Sequence, residues 1–271
     1  MLGRTLQRRL AAHELYIADL PEVDITVMGQ LEAAIRSFAP DVVLHCAAMT
    51  AVDGCESQTD LAFKVNALGS ANVAACANRA GAWLIAISTD YVFDGRLDRP
   101  YHEWDNPAPA TVYGQSKYAG EMAVRDHCPG HTILRIAWLY GPGGPSFLHT
   151  MLKLGRQEGA ALKVVNDQIG NPTSTDAVAS VIAWLLENPV PGVVHATCEG
   201  AATWYEFAKR IFDLWKLPRA LEACCTAEFP RPAPRPANSR LEKRVLRLAG
   251  APPMPHWRDA LEQFAHAWPE G

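Results

Sequence analysis

Short apolar runs alternate along most of the chain with longer segments in which apolar residues recur at helical spacing. The short runs predict buried strands, and the longer segments predict helices with one apolar face. The predicted strands are Leu15–Ala18, Val42–Cys46, Trp83–Ser88, Thr132–Ile136, Leu162–Val165 and Val193–Ala196. The predicted helices lie near residues 4–12, 28–39, 58–79, 111–127, 146–157, 174–187 and 203–216.

Strands separated by helices predict βαβ units, and therefore a mainly parallel sheet with helices on both faces. We expect an α/β fold built on a Rossmann-like, doubly wound parallel sheet. The alternation weakens beyond about residue 143, and the segment from residue 217 onwards is rich in Pro and Arg. This change predicts a dinucleotide-binding domain at 1–142, which also receives about 167–197, and a smaller, partly interleaved substrate-binding region at 143–271.

The composition is that of a globular protein with a sizeable core, since 49% of the 271 residues are hydrophobic and 20% are charged. A net charge of −4 argues against nucleic acid or an anionic membrane surface as the main partner. No apolar stretch approaches the length of a membrane span. The seven scattered cysteines, without a C-x-x-C pair, predict reduced thiols and a cytoplasmic location. We predict no metal site.

Polar side chains lie at the carboxyl end of one predicted strand, where Ser88, Thr89 and Asp90 follow an apolar run. Ligands of open α/β sheets bind at this edge. Downstream, Tyr113 and Lys117 lie at the start of a predicted helix, and residues four apart share one helix face. A hydroxyl, a phenol and an ammonium could therefore meet at one ligand.

The chemistry of these three groups explains why they would be brought together. A phenol has an ordinary pKa of about 10 and exchanges protons poorly at neutral pH. An ammonium one turn away stabilises the phenolate, and a neighbouring hydroxyl orients the donor. The Tyr-x-x-x-Lys spacing alone is more typical of a solvated helix pair. Together with Thr89, however, Tyr113 and Lys117 predict a proton-transfer site for a carbonyl or an alcohol.

Ordered segments along nearly the whole chain carry a family resemblance. They are residues 41–53, 65–67, 88–95, 112–117, 135–141, 165–173 and 235–241, together with Glu56. The set resembles the dTDP-4-dehydrorhamnose reductases, which are extended short-chain dehydrogenases/reductases. The resemblance implies NADPH- or NADH-dependent reduction of a 4-keto deoxysugar on dTDP, giving dTDP-L-rhamnose for surface polysaccharide such as O antigen. It also implies a dTDP-sugar as the partner and allows a homodimer.

The resemblance assigns roles to the predicted site residues. Tyr113 would protonate the developing alkoxide, and Lys117 would lower the pKa of Tyr113 and hold the nicotinamide ribose. Thr89 would hydrogen-bond near the reacting carbonyl and tune the proton transfer. Thr89, Asp90 and Trp138 match positions that contact the sugar nucleotide. For Trp138, core packing is an alternative interpretation.

Further positions match the cofactor site of the family. Ala47, Ala48, Met49 and Thr50 match a turn after a strand, where small side chains let a dinucleotide lie against the backbone. Gly3 matches the last glycine of the phosphate-binding turn. Asp19 follows a predicted strand and could bind the adenosine ribose, but it could equally be a plain turn carboxylate.

Several other polar residues allow two interpretations. Asn66 faces the site in the family, yet an asparagine inside a helix often only bonds a backbone carbonyl. For Asp53 and Glu56 we favour a solvated helix start over catalysis. Arg231 and Arg235 could meet a diphosphate, although a proline-spaced loop exposes arginines in any case.

The beginning of the chain departs from the family pattern. Such enzymes open with a strand and a G-x-x-G-x-x-G turn, whereas Met1–Arg4 aligns only with the last glycine of that turn. Without the first strand, we expect two strand edges to lack a partner. Either a start site upstream or a truncated, inactive reductase would explain this departure. Thr5 stands where an acidic residue of a metal-linked dimer contact is expected in the family, so that contact is not expected.

Two other functions fit the same scaffold. One is a non-catalytic subunit like the regulatory subunit of methionine adenosyltransferase, which keeps cofactor-site residues, although Asp90 and Trp138 argue against it. The other is an epimerase or a dehydratase. By resemblance, a dehydratase is expected to carry acids such as Asp-Glu after the strand-end threonine, where Asp90-Tyr91 stands in this chain.

Overall fold

The computed structural model describes residues 1–268. Five of the six predicted strands are present in it, and shorter strands lie in the second half of the chain. The strands are β1 Val42–His45, β2 Trp83–Thr89, β3 His131–Ile136, β4 Leu139–Tyr140, β5 Leu162–Val165, β6 Ile169–Gly170, β7 Thr173–Ser174, β8 Gly192–His195, β9 Ala202–Thr203 and β10 Leu221–Cys224. The central sheet is parallel and has the order β1-β2-β3-β8. Parallel strands need crossover connections, which the helices supply.

Each of the seven predicted helical segments contains a helix close to its predicted position, and further helices lie outside these segments. The helices are α1 Leu2–Arg9, α2 Met28–Phe38, α3 Val52–Ser57, α4 Thr59–Phe63, α5 Gly69–Ala80, α6 Val112–His127, α7 Phe147–Gly155, α8 Thr175–Glu187, α9 Trp204–Trp215, α10 Arg244–Leu248 and α11 Trp257–Ala267. A π-helical turn, Lys64–Leu68, joins α4 to α5 within the segment predicted as one helix. Short 3-10 turns lie at Asp90–Val92 and Thr226–Glu228.

Both faces of the central sheet are covered, because alternate residues of each strand face opposite sides. Leu84 and Ala86 of β2 pack in one hydrophobic core with residues of α2, α5 and α6. Ile85, between them, packs in a second core with residues of α1, α7, α8, α9 and α11. The α/β fold with helices on both faces of a parallel sheet is therefore confirmed.

The prediction of a strand at Leu15–Ala18 is wrong, because these residues form no regular structure. Leu15, Tyr16 and Ile17 are 39%, 47% and 53% exposed. Among the described strands, β1 pairs with β2 alone and is an edge of the sheet. A β-strand is stabilised by hydrogen bonds to a neighbouring strand, and no neighbour lies beside residues 15–18 within the described chain.

The second half of the chain contributes to the central sheet and also forms smaller sheets. β8 joins the central sheet beside β3, while β5 pairs in parallel with β10 in a separate two-stranded sheet. The helices α3, α10 and α11, the strand β10 and the two-residue strands β4, β6, β7 and β9 were not predicted. The division into domains at 1–142 and 143–271 stays a prediction.

Candidate active site

The predicted proton-transfer residues meet at the carboxyl end of β2. Tyr113 is the second residue of α6, and two side chains cap this helix end. Thr111 Oγ1 accepts a hydrogen bond from the Gly114 N–H at 3.0 Å, and Glu56 Oε1 accepts one from the Val112 N–H at 3.0 Å. Both satisfy N–H groups that the first helical turn leaves without partners. These two caps therefore hold the first turn of α6, which carries Tyr113, in place.

A glycine lets the start of α6 lie against the end of β2. A Cβ atom at Gly114 would lie 2.2 Å from the backbone oxygen of Tyr91, so this close approach requires the absence of a side chain. The rings of Tyr91 and Tyr113 consequently pack edge to face, with centroids 5.5 Å apart. The phenol of Tyr113 is held beside Thr89 and Asp90.

Burial raises the pKa of the Tyr113 phenol, while a side-chain hydrogen bond with Thr89 lowers it. The nearby Asp90 and Cys55 raise the pKa of Tyr113 further because like charges would oppose each other. The expected lowering by Lys117 is therefore not what the structure shows, since desolvation dominates. At neutral pH the half-buried phenol keeps its proton, as a proton donor must.

Lys117 lies one turn beyond Tyr113 and is buried at the inner side of α6. Its Nζ donates a hydrogen bond to the Ile87 backbone oxygen at 2.8 Å. Burial lowers the pKa of Lys117 to about 8. The nearby Glu121 and Cys46 raise this pKa and so oppose the effect of burial. An ammonium has three N–H donors, and Ile87 is the only acceptor that the described residues offer it. Lys117 can thus serve further oxygen atoms.

A buried ion pair lies directly behind Lys117. Arg135 on β3 donates two hydrogen bonds to the Glu121 carboxylate, at 2.8 and 2.7 Å, and both side chains are almost fully buried. Ser88 Oγ donates a third, at 2.5 Å. Glu121 therefore joins α6 to β2 and β3 and places a negative charge one turn from Lys117. We did not predict this pair, although Glu121 follows Lys117 by four residues, the spacing of one helix face.

Asp90 is a buried carboxyl beside Thr89. Thr89 Oγ1 donates to Asp90 Oδ1 at 2.9 Å, whereas Oδ2 has no hydrogen-bond partner among the described residues. Burial raises the pKa of Asp90 to about 7, and hydrogen bonding with Thr89 and Ser239 opposes this rise. A buried polar atom without a partner is costly, so Oδ2 suits a hydroxyl group of a ligand.

Trp138 follows β3 and is half-buried. Its indole Nε1 donates to Ser239 Oγ at 2.9 Å, and its ring stacks on Trp204 with centroids 3.4 Å apart and an angle of 3°. The stack and the hydrogen bond support the packing interpretation of Trp138, and its contact with the sugar nucleotide stays a prediction.

The predicted cofactor turn follows β1 at the same edge of the sheet. Ala47 and Thr50 are exposed, and Ala48 and Met49 are partly exposed, so the turn presents backbone to a ligand. Asn66 of the π-helical turn holds it, since its Oδ1 accepts from Met49 N–H at 2.8 Å and its Nδ2 donates to Met49 O at 3.1 Å. Asn66 Nδ2 also donates to Ser116 Oγ at 2.9 Å, which connects the turn to α6. π-Helical segments occur often at functional sites.

The other two predicted cofactor residues, Gly3 and Asp19, make few contacts with the rest of the described chain. Gly3 lies in the first turn of α1, and a Cβ atom there would meet open space. Asp19 is exposed, and its Oδ1 accepts from the Leu20 N–H at 2.9 Å. The structure thus gives Asp19 the contact of a turn carboxylate, and its contact with a cofactor stays a prediction.

Asp53 lies in the first turn of α3, as the favoured interpretation requires, but Asp53 and Glu56 both bond other parts of the chain instead of water alone. Glu56 caps α6, and Asp53 Oδ2 lies 2.9 Å from Arg235 of the proline-rich loop. Asp53 Oδ1 accepts from the Ala233 N–H at 3.2 Å as well. The loop is therefore tied to α3, next to the cofactor turn. Arg235 is mostly buried, whereas Arg231 is exposed.

No group of three metal-ligating side chains lies within residues 1–268. None of the helices in this range has both the length and the apolar character needed to cross a membrane.

Known proteins match the chain closely. The family profile described as the RmlD substrate binding domain matches residues 1–268. The dTDP-4-dehydrorhamnose reductase of Escherichia coli (strain K12) is 40% identical over 241 residues, which cover 85% of this chain and 80% of that protein. A crystal structure of a dTDP-4-dehydrorhamnose reductase from Clostridium acetobutylicum gives a TM-score of 0.96 at 41% identity, covering 99% of this chain and 96% of that one. That of the reductase from Bacillus anthracis in complex with NADP gives 0.95 at 39% identity, with coverages of 98% and 95%.

Proposed function

The chain belongs to the RmlD substrate-binding-domain family of dTDP-4-dehydrorhamnose reductases, and on this basis we propose that it reduces the 4-keto group of dTDP-4-dehydrorhamnose with NADPH. The product is dTDP-L-rhamnose. The observation that carries the proposal is the arrangement of Tyr113, Thr89 and Lys117 at the carboxyl edge of the parallel sheet.

Tyr113 supplies the proton in this reaction. Its raised pKa keeps the phenol protonated until an alkoxide forms beside it. The hydroxyl of Thr89 lies close to the phenol and lowers its pKa, which favours release of the proton to the alkoxide. Bound NADPH supplies the hydride that turns the carbonyl into this alkoxide.

The cofactor side fits a dinucleotide. The two donors that Lys117 does not use suit ribose hydroxyl groups. The backbone of the turn from Ala47 to Thr50 is accessible, and Asn66 keeps this turn rigid. Gly3 leaves open space at the first turn of α1, where phosphate groups are favoured by the helix N-terminus.

The sugar side is formed by Asp90 and Trp138. The free Oδ2 of Asp90 accepts a hydrogen bond from a sugar hydroxyl, or donates one when the carboxyl is protonated. The Trp138 indole offers a flat apolar surface, which suits the face of a deoxysugar.

The test is an assay of this chain with NADPH and chemically defined dTDP-4-dehydrorhamnose. We expect the absorbance of reduced nicotinamide to fall in step with the appearance of dTDP-L-rhamnose, identified by chromatography against an authentic standard. UDP-4-keto sugars serve as the matched control for the nucleotide and should react more slowly.

A folded protein that binds NADPH but does not reduce the sugar would contradict the proposal. If such a protein were to copurify stoichiometrically with a methionine adenosyltransferase, it would be a regulatory subunit instead. Formation of an epimer without net oxidation of NADPH would point to an epimerase.

The cellular setting is part of the same proposal. All seven cysteines are free thiols, which is typical of proteins in a reducing compartment, and we therefore place the enzyme in the cytoplasm. There it would supply dTDP-L-rhamnose for surface polysaccharide. A homodimer stays a prediction, and sedimentation of the purified chain with and without NADPH measures it.

A further inference from the structure

A single buried hydroxyl supports the indole on the sugar side of the site. Ser239 is 2% exposed, and its Oγ accepts the hydrogen bond from the Trp138 indole at 2.9 Å. The same Oγ donates to the Ile169 backbone oxygen at 3.4 Å. Ser239 and Trp138 are 101 positions apart in the sequence, so the serine joins two distant parts of the chain.

The backbone around Ser239 is held firmly. The Ser239 N–H donates to the Ile169 oxygen at 2.8 Å, and the Ile169 N–H donates to the Ala237 oxygen at 2.8 Å. The neighbouring Asn238 Nδ2 donates to the backbone oxygens of Leu97 and Arg99, at 2.6 and 2.8 Å. The position of the serine hydroxyl is therefore set before any ligand arrives.

A glycine provides the space for this junction. A Cβ atom at Gly170 would lie 2.4 Å from Trp138 Cε2 and 2.7 Å from Ser239 Oγ. Any larger residue at this position would push the indole away from the serine. Gly170 is thus required by the close approach of two side chains.

Trp138 needs such a restraint because its backbone is strained. Its φ angle is +46°, in the left-handed region that non-glycine residues seldom adopt. Strained residues persist where the surroundings hold them, and they cluster at ligand sites. The bond to Ser239 and the stack on Trp204 hold the indole in this conformation.

We propose that Ser239 is a positioning residue for the sugar nucleotide, which fixes the Trp138 indole in the orientation that binds the deoxysugar. The inference rests on the proposed function, because it deepens the role of the same site. Ser239 acts through Trp138 and does not contact the reacting atoms.

The experiment compares Ser239→Ala with wild type in the NADPH oxidation assay. Losing the hydrogen bond that orders the Trp138 indole should raise KM for the sugar nucleotide about tenfold. The value of kcat and the Kd for NADPH should stay close to those of wild type. Ser239→Thr keeps the hydroxyl and should restore most of the affinity.

A matched control separates positioning from folding. Ser174 is also buried, and its Oγ accepts from the Ala177 N–H at 3.1 Å at the start of α8. Ser174→Ala should lower Tm without changing KM. Should Ser239→Ala fold poorly, Trp138→Phe removes the same hydrogen bond from the other side and should raise KM similarly.

The double variant supplies the decisive comparison. If Ser239 and Trp138 act as one unit, adding Ser239→Ala to Trp138→Phe should raise KM far less than the product of the single effects. Multiplicative effects, or a wild-type KM in Ser239→Ala, would overturn the inference while the reductase activity stands. A wild-type chain that does not reduce the substrate would remove the proposed function and this inference with it.

Discussion

Glu121 lies one turn along α6 from Lys117, and its carboxylate raises the pKa of that buried ammonium against the effect of burial. The carboxylate is in turn held by Arg135 and by Ser88. A charged side chain on β3 and a hydroxyl on β2 therefore hold in place the carboxylate that acts on this lysine.

The first prediction concerns Glu121→Gln. Without this negative charge the pKa of Lys117, now about 8, should fall further, because burial is opposed by less charge. Lys117 then loses its proton at a lower pH, so NADPH affinity should decline at lower pH than in wild type. NADPH titrations between about pH 6 and about pH 9 measure this shift.

Ser88→Ala is the control for Glu121→Gln, because it removes a donor to Glu121 without changing the charge. Its NADPH affinity should keep the wild-type pH dependence. An identical pH dependence in Glu121→Gln would mean that the carboxylate does not influence Lys117. The variant should also unfold more readily, since Arg135 loses its charged partner.

The second prediction concerns the cap of α6. Thr111→Ala removes the acceptor for the Gly114 N–H and should lower the free energy of unfolding by about 1 kcal/mol. Because Tyr113 lies within this first turn, kcat should fall as well. Thr203→Ala removes the equivalent cap of α9, where Oγ1 accepts from the Glu206 N–H at 3.1 Å.

Thermal unfolding and steady-state kinetics of both threonine variants test the second prediction. Thr203→Ala should lose similar stability while keeping kcat. Equal kcat values in the two variants would show that the cap of α6 supports folding alone and not the position of Tyr113.

The third prediction concerns the pH dependence of stability through Asp90. Burial raises the pKa of Asp90 from 3.8 to about 7, so the folded protein holds this proton more tightly than the unfolded chain. The contribution of Asp90 to the free energy of unfolding therefore decreases as the pH rises from about 4 to about 7. Asp90→Asn removes this effect. The Tm of the variant minus the Tm of wild type should therefore be larger at about pH 8 than at about pH 5, by roughly 3 °C.

Asp24→Asn serves as the comparison for Asp90→Asn. The Thr26 N–H donates to Asp24 Oδ1 at 2.8 Å and lowers the pKa of Asp24, so this carboxyl is ionised in both states above about pH 5. Its substitution should change Tm by the same amount at both pH values. The same pH-independent change in Asp90→Asn would show that Asp90 is ionised throughout this range.

Much of the central sheet could be predicted from the sequence because its strands are buried on both faces. β2, which is buried along most of its length, begins with the continuous apolar run Trp83–Ile87. The segment 15–18 has the same local character but lies beside no strand in the described chain. Conversely, β10 was missed because its residues include the exposed Glu222.

The site could be predicted where its residues are close in sequence. Thr89 and Asp90 are adjacent, and Tyr113 and Lys117 share a helix face. The contact of Trp138 with Ser239 joins residues that are 101 positions apart, so no local pattern indicates it. The raised pKa of Tyr113 also depends on desolvation by the folded chain, which spacing alone does not reveal.

The proton donor is the central claim, and Tyr113→Phe tests it most directly. The variant keeps the ring that packs on Tyr91 and loses only the hydroxyl, so it should fold and bind NADPH as wild type does. Without the proton, kcat for dTDP-4-dehydrorhamnose should fall about a thousandfold. A folded Tyr113→Phe protein that turns over as fast as wild type would contradict the account.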